Sequence, residues 1–432
     1  MNKNGLRIGN YRITPLGLTV LFALVALILA LIILLSTSFK SAPDAVKPTG
    51  NNVISVETPT APINLATPTP TPVPTPTPMP TPRSATIRSL GEIAMEEPLL
   101  EAAYNADAGI YDFSEMFSMI SDVMGNADYT IADVEGPLGD TKAYGFQTDN
   151  ISTPSSLITA LKQCGVDMLT LANDHTLDSG WNGVQDTIAK CIANNMDYIG
   201  ASTSNAEKST PVIRDIQGIR VAFLNYTDSV GGKEGDVDKA AIEYGVNWIS
   251  NSSCKSDVAA AKEAGADVII AYVSWGKMFE RTPSNAQYTI AKALADVGVD
   301  VVIGYNPHVI QPFIVLETEQ DGQTHKTYVL GATGNFISNR RDQYTDSGII
   351  LQFEINEQAD GSFAIENLGY IPTYVWRLDN GDGTYEYHTL AVGQWLESQP
   401  EGMSYADYTR LKQVWAEAQT ILGTSTAACL HE

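Results

Sequence analysis

A layered α/β fold is what this sequence predicts, and three observations predict it. Short apolar runs of strand length alternate with helix-length runs from about residue 87 onward. Three later apolar runs follow one another with no helix between them, which points to an antiparallel or mixed part of the sheets. Polar clusters recur just past the carboxyl ends of the apolar runs, where α/β folds gather their chemistry. The expected strands are 130–133, 167–171, 196–199, 220–225, 267–273 and 300–303, then 309–316, 327–330 and 348–355. The expected helices are 113–124, 154–164, 180–194, 256–264 and 285–297, with a closing helix at 405–422.

Ahead of this region lies a run of another kind. Residues 16–35 read LGLTVLFALVALILALIILL, uncharged and long enough for a helix to cross about 30 Å of hydrocarbon. Lys3, Arg7 and Arg12 precede it, which favours an N-terminus on the cytoplasmic side. The run is longer than the apolar core of a signal peptide, so it reads as a retained single-pass anchor in the cell membrane. Residues 37–85 lack hydrophobic periodicity and contain TPTPTPVPTPTPMPTP. Alternating proline blocks helix and ladder hydrogen bonds and favours a semi-rigid polyproline II spacer. The expected organisation is therefore 1–15 cytoplasmic, 16–36 transmembrane, 37–85 stalk, 86–395 main extracytoplasmic domain and 396–432 helical tail.

Composition narrows the partners. The chain carries 50 acids against 26 bases, a formal net charge of −24. Nucleic acid is excluded, since phosphates need a basic surface. An anionic polymer needs a metal ion or a local basic patch to bind here. Cys164, Cys191, Cys254 and Cys429 form no CxxC or Cys/His cluster, which argues against structural zinc. Outside the cytoplasm a Cys164–Cys191 disulfide is permitted, and free thiols are equally compatible with the sequence.

Six polar clusters follow apolar runs in order: Gly91-Glu92, Asp133-Val134-Glu135-Gly136-Pro137, Ala172-Asn173-Asp174-His175, Ser274-Trp275-Gly276, Gly304-Tyr305-Asn306-Pro307-His308 and Gly334-Asn335-Phe336. Six together indicate one shared site. Arg340 and Arg341 come shortly after the last, and a guanidinium fork suits carboxylates or phosphates.

The stretches LTLANDHTLDSG at 169–180, SWGKMFERTPSNAQYTIAKALADVGVDVVIGYNPHVIQPF at 274–313 and GNFISNRRDQYTDSGII at 334–350 resemble the CapA-type poly-gamma-glutamate biosynthesis proteins, relatives of the calcineurin-like metallophosphoesterases. The resemblance covers roughly residues 86–375. It implies a four-layer α/β/β/α sandwich and a role in making, exporting or anchoring a surface polymer. It also implies metal ligands at Glu92, Glu135, Asn173 and His308, with His175 as acid or electrostatic stabiliser near a leaving group. Asp174, Ser274, Trp275, Asn306, Asn335 and Arg340 would line the substrate. The implied partners are the cytoplasmic membrane and an anionic surface polymer or the membrane complex that synthesises it.

The chain departs from the family pattern. Gly91-Glu92 stands for the usual Gly-Asp, Ser274-Trp275-Gly276 for His-Trp-Gly, and Asn306-Pro307-His308 for His-Pro-His. Losing two imidazoles should weaken a dinuclear transition-metal site. What remains is oxygen-rich and suits one hard cation, Mg²⁺, Mn²⁺ or Ca²⁺, or none. Three readings stay open on the sequence: a polymer-handling protein with weakened catalysis, a working metal-dependent hydrolase, and a surface-binding scaffold.

Overall fold

The structure is a computed structural model that describes residues 7–8, 11–12, 81–140, 152–320, 322–423 and 427–431. It forms two compact units, Met1–Thr77 and Pro78–Glu432. In the first, Arg7–Ile8 pairs antiparallel with Tyr11–Arg12. The expected transmembrane helix at 16–36 and all but the end of the 37–85 stalk lie outside the described residues. Among the described residues no helix is long and apolar enough to cross a membrane.

The second unit is built on two sheets. In the first, β1 (Ser84–Ile93), β2 (Tyr129–Val134), β3 (Met168–Thr170) and β4 (Asp197–Ile199) run parallel in that order. In the second, β5 (Val212–Ile216) pairs antiparallel with β6 (Ile219–Thr227), and β6, β7 (Val268–Ser274) and β8 (Val301–Tyr305) run parallel. A hairpin, β9 (Ile310–Gln320) and β10 (Gln323–Thr333), closes that sheet beyond β8. The first sheet is extended past β1 by antiparallel β12 (Ser347–Glu357), β13 (Phe363–Asp379) and β14 (Tyr385–Ala391), while short β11 (Asn335–Ile337) pairs with β1.

Both faces of the central strands are buried, which is why they read as unbroken apolar runs. In β7, Val268, Ile270 and Tyr272 face the first sheet, where Ile87, Ile131 and Met168 share their cluster. The alternate residues Ile269, Ala271 and Val273 face outward onto α4 (Asn251–Glu263) and α5 (Asn285–Val297) through Val258, Ala261, Ala291 and Leu294. On the far side, α2 (Ser156–Gln163) and α3 (Gly180–Ala193) place Leu157, Leu161, Val184 and Ile188 against Ala132 and Leu169. Helix, sheet, sheet, helix is the resulting order of layers. α1 (Glu97–Ala103) joins the same outer layer as α2 and α3 through Leu99 and Leu100.

Expected and observed elements differ in instructive places. Helix α5 keeps the expected span because Ser284 and Gln287 form a capping box and Gly298 ends it with φ 91°. The single helix expected at 113–124 is two turns, Ser114–Phe117 and Ser121–Met124, since Phe113, Met116, Phe117, Ile120, Val123 and Met124 all turn into the core. Strand β13 was hidden by Gly369 and Pro372. Pro372 is tolerated because β14 pairs only from Thr373 onward, leaving the proline nitrogen side without a ladder partner there. The four cysteines are free thiols.

The last helix, α6 (Tyr405–Leu422), packs Leu411 and Val414 on Tyr374 and Trp376, and Ala418 and Leu422 reach the cluster between the sheets. Residues 396–432 thus belong to the same compact unit as the sheets. Arg410 on α6 makes two 2.8 Å bonds to Asp346, the residue before β12, and two to Glu417. Arg410→Ala is expected to lower stability by about 2 kcal/mol, the scale of charge-assisted hydrogen bonds in a partly buried setting. Thermal unfolding checks this; an unchanged midpoint would mean that α6 is an appendage.

Candidate metal centre

The carboxyl ends of β1, β2, β3, β7 and β8 converge at one edge of the sandwich. Glu92 is the penultimate residue of β1, level with Asp133 of β2 and Asn335 of β11. Gly91 precedes it because a Cβ there would sit 2.3 Å from the Gly334 carbonyl, which accepts the Glu92 N–H at 3.0 Å. Glu135 follows β2 and is held by its own N–H on the Ile93 carbonyl at 3.0 Å. His308 arrives from the second sheet on a loop with two left-handed residues, Asn306 (φ 89°) and His308 itself (φ 57°). Such backbone costs of order 1–3 kcal/mol per residue and persists where the surroundings over-determine it. Here it carries the His308 N–H to 3.2 Å from Glu92 Oε1.

Glu92, Glu135 and His308 offer ligand atoms that all lie within 4.8 Å of one another, and all three residues are buried. His308 Nδ1 stands 3.0 Å from Glu92 Oε2 and 3.6 Å from Glu135 Oε1. It also meets Asn335 Oδ1 at 3.0 Å, while Asn335 Nδ2 donates to the Thr345 carbonyl at 2.9 Å. That second bond turns the amide oxygen toward the imidazole. Glu135 Oε2 and His308 Nε2 are buried with no hydrogen-bond partner, while Glu92 Oε2 is buried against the His308 ring as an ion pair. Two carboxylates and one imidazole, with Glu135 Oε2 and His308 Nε2 left without hydrogen bonds, are the donor set of a divalent cation. The residues present fit one such ion.

The electrostatics agree. Burial alone would lower the His308 imidazole, but Glu135 and Glu92 outweigh it and carry it up to about 10. Burial would raise Glu92, and His308 beside it holds it below its ordinary value instead. Burial, opposed by His308 and reinforced by Glu92, lifts Glu135 to about 7. Asp133 is pushed well above the usual range by burial, against its bond from Thr170, with Glu92 and Glu135 adding to the rise. The carboxylates outweigh burial at His308, the imidazolium outweighs burial at Glu92, and burial dominates at Glu135 and Asp133.

The remaining expected residues sort by what they touch. Asn173 braces the loop: Nδ2 donates to the Val134 carbonyl at 2.9 Å and Oδ1 accepts the His175 N–H at 3.1 Å. His175 pairs through Nδ1 with Asp178 Oδ2 at 2.8 Å, and Asp178 also meets Lys233. Burial would lower His175; the Asp178 bond, then Glu135 and Asp174, raise it. Asp174 stands 3.7 Å from His175 Nε2. Ser274 is buried and its carbonyl accepts the Asp228 N–H.

Three expected substrate residues have other duties. Trp275 is a core residue, 1% exposed, with its indole N–H on the Gly331 carbonyl at 2.9 Å. Asn335 is buried and serves His308. Asn306 donates to the Trp275 and Gly276 carbonyls, so its amide shapes its own loop. Arg340 does approach the centre. Its guanidinium lies 5.7 Å from the Phe279 ring, which in turn lies 6.1 Å from the His308 ring, and Nε is 3.6 Å from Glu96 Oε1. Sequence reasoning placed Asp133 in a polar cluster without giving it a role, and assigned none to Asp178, Lys233, Glu96 and Phe279. Asp178 had a signal, three residues after His175 at one-turn spacing; Lys233 and Phe279 had none. A cavity of about 420 Å³ at the β4–β5 edge includes none of Glu92, Glu135 and His308 in its lining.

The model of the bacterial capsule synthesis protein PGA_cap matches residues 86–340, more than half of the chain and all three clustered residues. The chain belongs to that family. Among similar family proteins is the capsule biosynthesis protein CapA of Bacillus anthracis, 27% identical over 278 residues, 63% of this chain and 64% of that protein. Another is the PGA biosynthesis protein CapA of Bacillus subtilis (strain 168), 26% identical over 255 residues, 58% of this chain and 63% of that protein. The matched stretch thus spans somewhat under two thirds of each relative's length. Among solved structures, a calcineurin-like phosphoesterase YfkN from Bacillus subtilis is 12% identical, covering 79% of this chain and 99% of that one, with a TM-score of 0.40.

The raised Glu135 fixes a pH dependence for the cation-free protein. Its folded value near 7 lies above the ordinary 4.5. Its contribution to stability is therefore full below about pH 4.5 and is lost as pH rises through about 7. Glu135→Gln is expected to flatten the fall in stability between pH 5 and 8, measured by denaturant unfolding with chelator present. An unaltered slope would place the titration elsewhere.

Proposed function

We propose that this family member handles a cell-surface polymer, poly-gamma-glutamate or a related envelope chain, during its synthesis, export or anchoring. In this reading the apolar run at 16–35 holds it in the cell membrane and the Pro/Thr stalk carries the folded unit outside. The observation that carries the functional part is the buried Glu92–Glu135–His308 group, in which Glu135 Oε2 and His308 Nε2 make no hydrogen bond. Mn²⁺, Mg²⁺ or Ca²⁺ would be held by those three residues. Such an ion, when bound, supplies charge neutralisation and Lewis acidity toward an oxyanion. Asn335 and the Glu92 carboxylate orient the His308 ring through Nδ1, and burial keeps water from competing for the carboxylates.

Three protein donors from Glu92, Glu135 and His308, without the imidazoles usual at positions 274 and 306, support a single cation and weakened hydrolysis. The His175–Asp178 pair favours the second reading, a working hydrolase. It gives a protonatable imidazole, raised above its ordinary value and close enough to Glu135 to feel its charge, able to hold a proton for a leaving oxygen.

Two measurements separate these. The metal content of the purified protein is expected at about one divalent ion per chain, falling to background in His308→Gln. With Mn²⁺ present, turnover of a generic phosphodiester is expected at background while poly-gamma-glutamate is retained on immobilised protein. Turnover abolished by His175→Ala would establish the hydrolase instead. Absence of both metal and polymer binding would remove the proposal.

A further inference from the structure

A gap is left between the sheets at the edge far from the C-terminal strands. β4 is only three residues long, β5 is the outer strand of the second sheet, and the chain crosses between them through the short helix Asn205–Lys208. The cavity of about 420 Å³ lies at this crossing, walled by residues of β4, β5, β6 and α4. Ile199, Val212, Phe223 and Leu224 give it an apolar side. Its volume is that of a small-molecule site, and apolar walls with a few placed polar groups are the usual make-up of one.

The uncommitted polar groups gather in one corner. Ala201 bridges Val246, and Asn247 donates its N–H to the Gly200 carbonyl at 2.9 Å, which ties the chain after β4 to the chain after helix Lys239–Gly245. Lys208 Nζ donates into the same corner, to the Glu243 carbonyl at 2.6 Å and the Val246 carbonyl at 3.2 Å. An ammonium has three hydrogens, so one remains. Asn247 Oδ1 is buried with no hydrogen-bond partner. Lys208 and Asn247 both line the cavity.

The other charged groups of the lining are already engaged. Asp197 is held by Arg214 and by Tyr129, Glu207 by Tyr198 and Thr203, and Asp257 by Tyr226. Lys208 differs, because both its partners are neutral carbonyls, and among the described residues it makes no ion pair. Burial lowers its ammonium, and Asp257 and Glu243, the acids that act against burial, do not pair with it. A half-buried ammonium without a counter-ion is completed by an anion, and an unpartnered amide oxygen by an N–H or O–H donor. The two demands arise side by side, so one small molecule can meet both.

We propose that the cavity between β4 and β5 is a second binding site, which takes a small carboxylate bearing a hydroxyl or N–H donor and an apolar body, with Lys208 on the carboxylate and Asn247 on the donor. None of Glu92, Glu135 and His308 lines it, so the inference stands apart from the reading of that centre. The full chain, purified in detergent, is titrated at low salt with phenyllactate, its amide and the corresponding amino alcohol, followed by ligand-observed NMR. The three probes share ring and hydroxyl and differ only in a carboxylate, a neutral amide or an ammonium. Phenyllactate is expected to bind saturably at about millimolar or tighter, and about tenfold or more better than the other two. Lys208→Gln is expected to bring it down to the affinity of the amide. Asn247→Leu is expected to abolish the preference for phenyllactate over phenylpropionate, which lacks the hydroxyl. Ala260→Phe, which fills the cavity from α4 and leaves Lys208 and Asn247 in place, is expected to remove binding of every probe, with thermal unfolding reporting that each variant is folded. Saturable binding by none of the probes, or binding that survives Ala260→Phe, overturns the site. Equal affinity for acid and amide, or a preference for the amino alcohol, overturns the carboxylate assignment.

Discussion

Two glutamates and one histidine, essentially without solvent, share a space less than 5 Å across where the two sheets meet. Like charges at that separation repel by of order 3 kcal/mol in a partly screened protein interior, more than the 1.4 kcal/mol of one pKa unit. Both carboxylates therefore cannot ionise there without positive charge beside them. The cluster answers by raising the His308 imidazole, through Glu135 and Glu92, and by raising Glu135, through burial and then Glu92. A divalent cation meets the same demand with two charges in place of a proton. That demand for positive charge gives the centre its character, and the neighbouring Asp133 and Asp174 intensify it.

The scaffold explains how such a costly arrangement is held. Glu92 and Glu135 are fixed by backbone bonds to Gly334 and Ile93 within the first sheet, and His308 by a loop of the second. The two sheets are joined by a buried apolar cluster that includes Ile131, Phe223, Ile270 and Ile303. From α6 the restraint runs through Arg410, Asp346, the adjoining Thr345 carbonyl and Asn335 to His308. The C-terminal helix is thereby linked to the orientation of one imidazole. The residues of this centre all lie within the stretch that matches the capsule synthesis family.

Much of this was legible in the sequence. Central strands buried on both faces announce themselves as continuous apolar runs, and capped helices such as α5 carry their own punctuation. The polar residues just past strands pointed to one edge of the sandwich, and Glu92, Glu135 and His308 do meet there. Other parts depend on tertiary contact. Nothing local distinguishes Asn335, which serves the histidine, from a ligand-facing amide. Trp275 beside a polar cluster reads as a pocket wall until its indole is seen bonded to the Gly331 carbonyl. Asn173 spends both ends of its amide on neighbouring backbone, a choice that spacing does not reveal. β13 was concealed because Pro372 is harmless only where β14 has not yet begun to pair.

Proton release on cation binding tests the central claim most directly. Calorimetric titration of Mn²⁺ into the protein at pH 7, repeated in buffers of different ionisation enthalpy, counts the protons displaced. The account predicts release of between about one and two protons per ion, from His308 and partly protonated Glu135, and loss of the binding heat in His308→Gln. Binding with no proton release, or binding that survives His308→Gln unchanged, would contradict it.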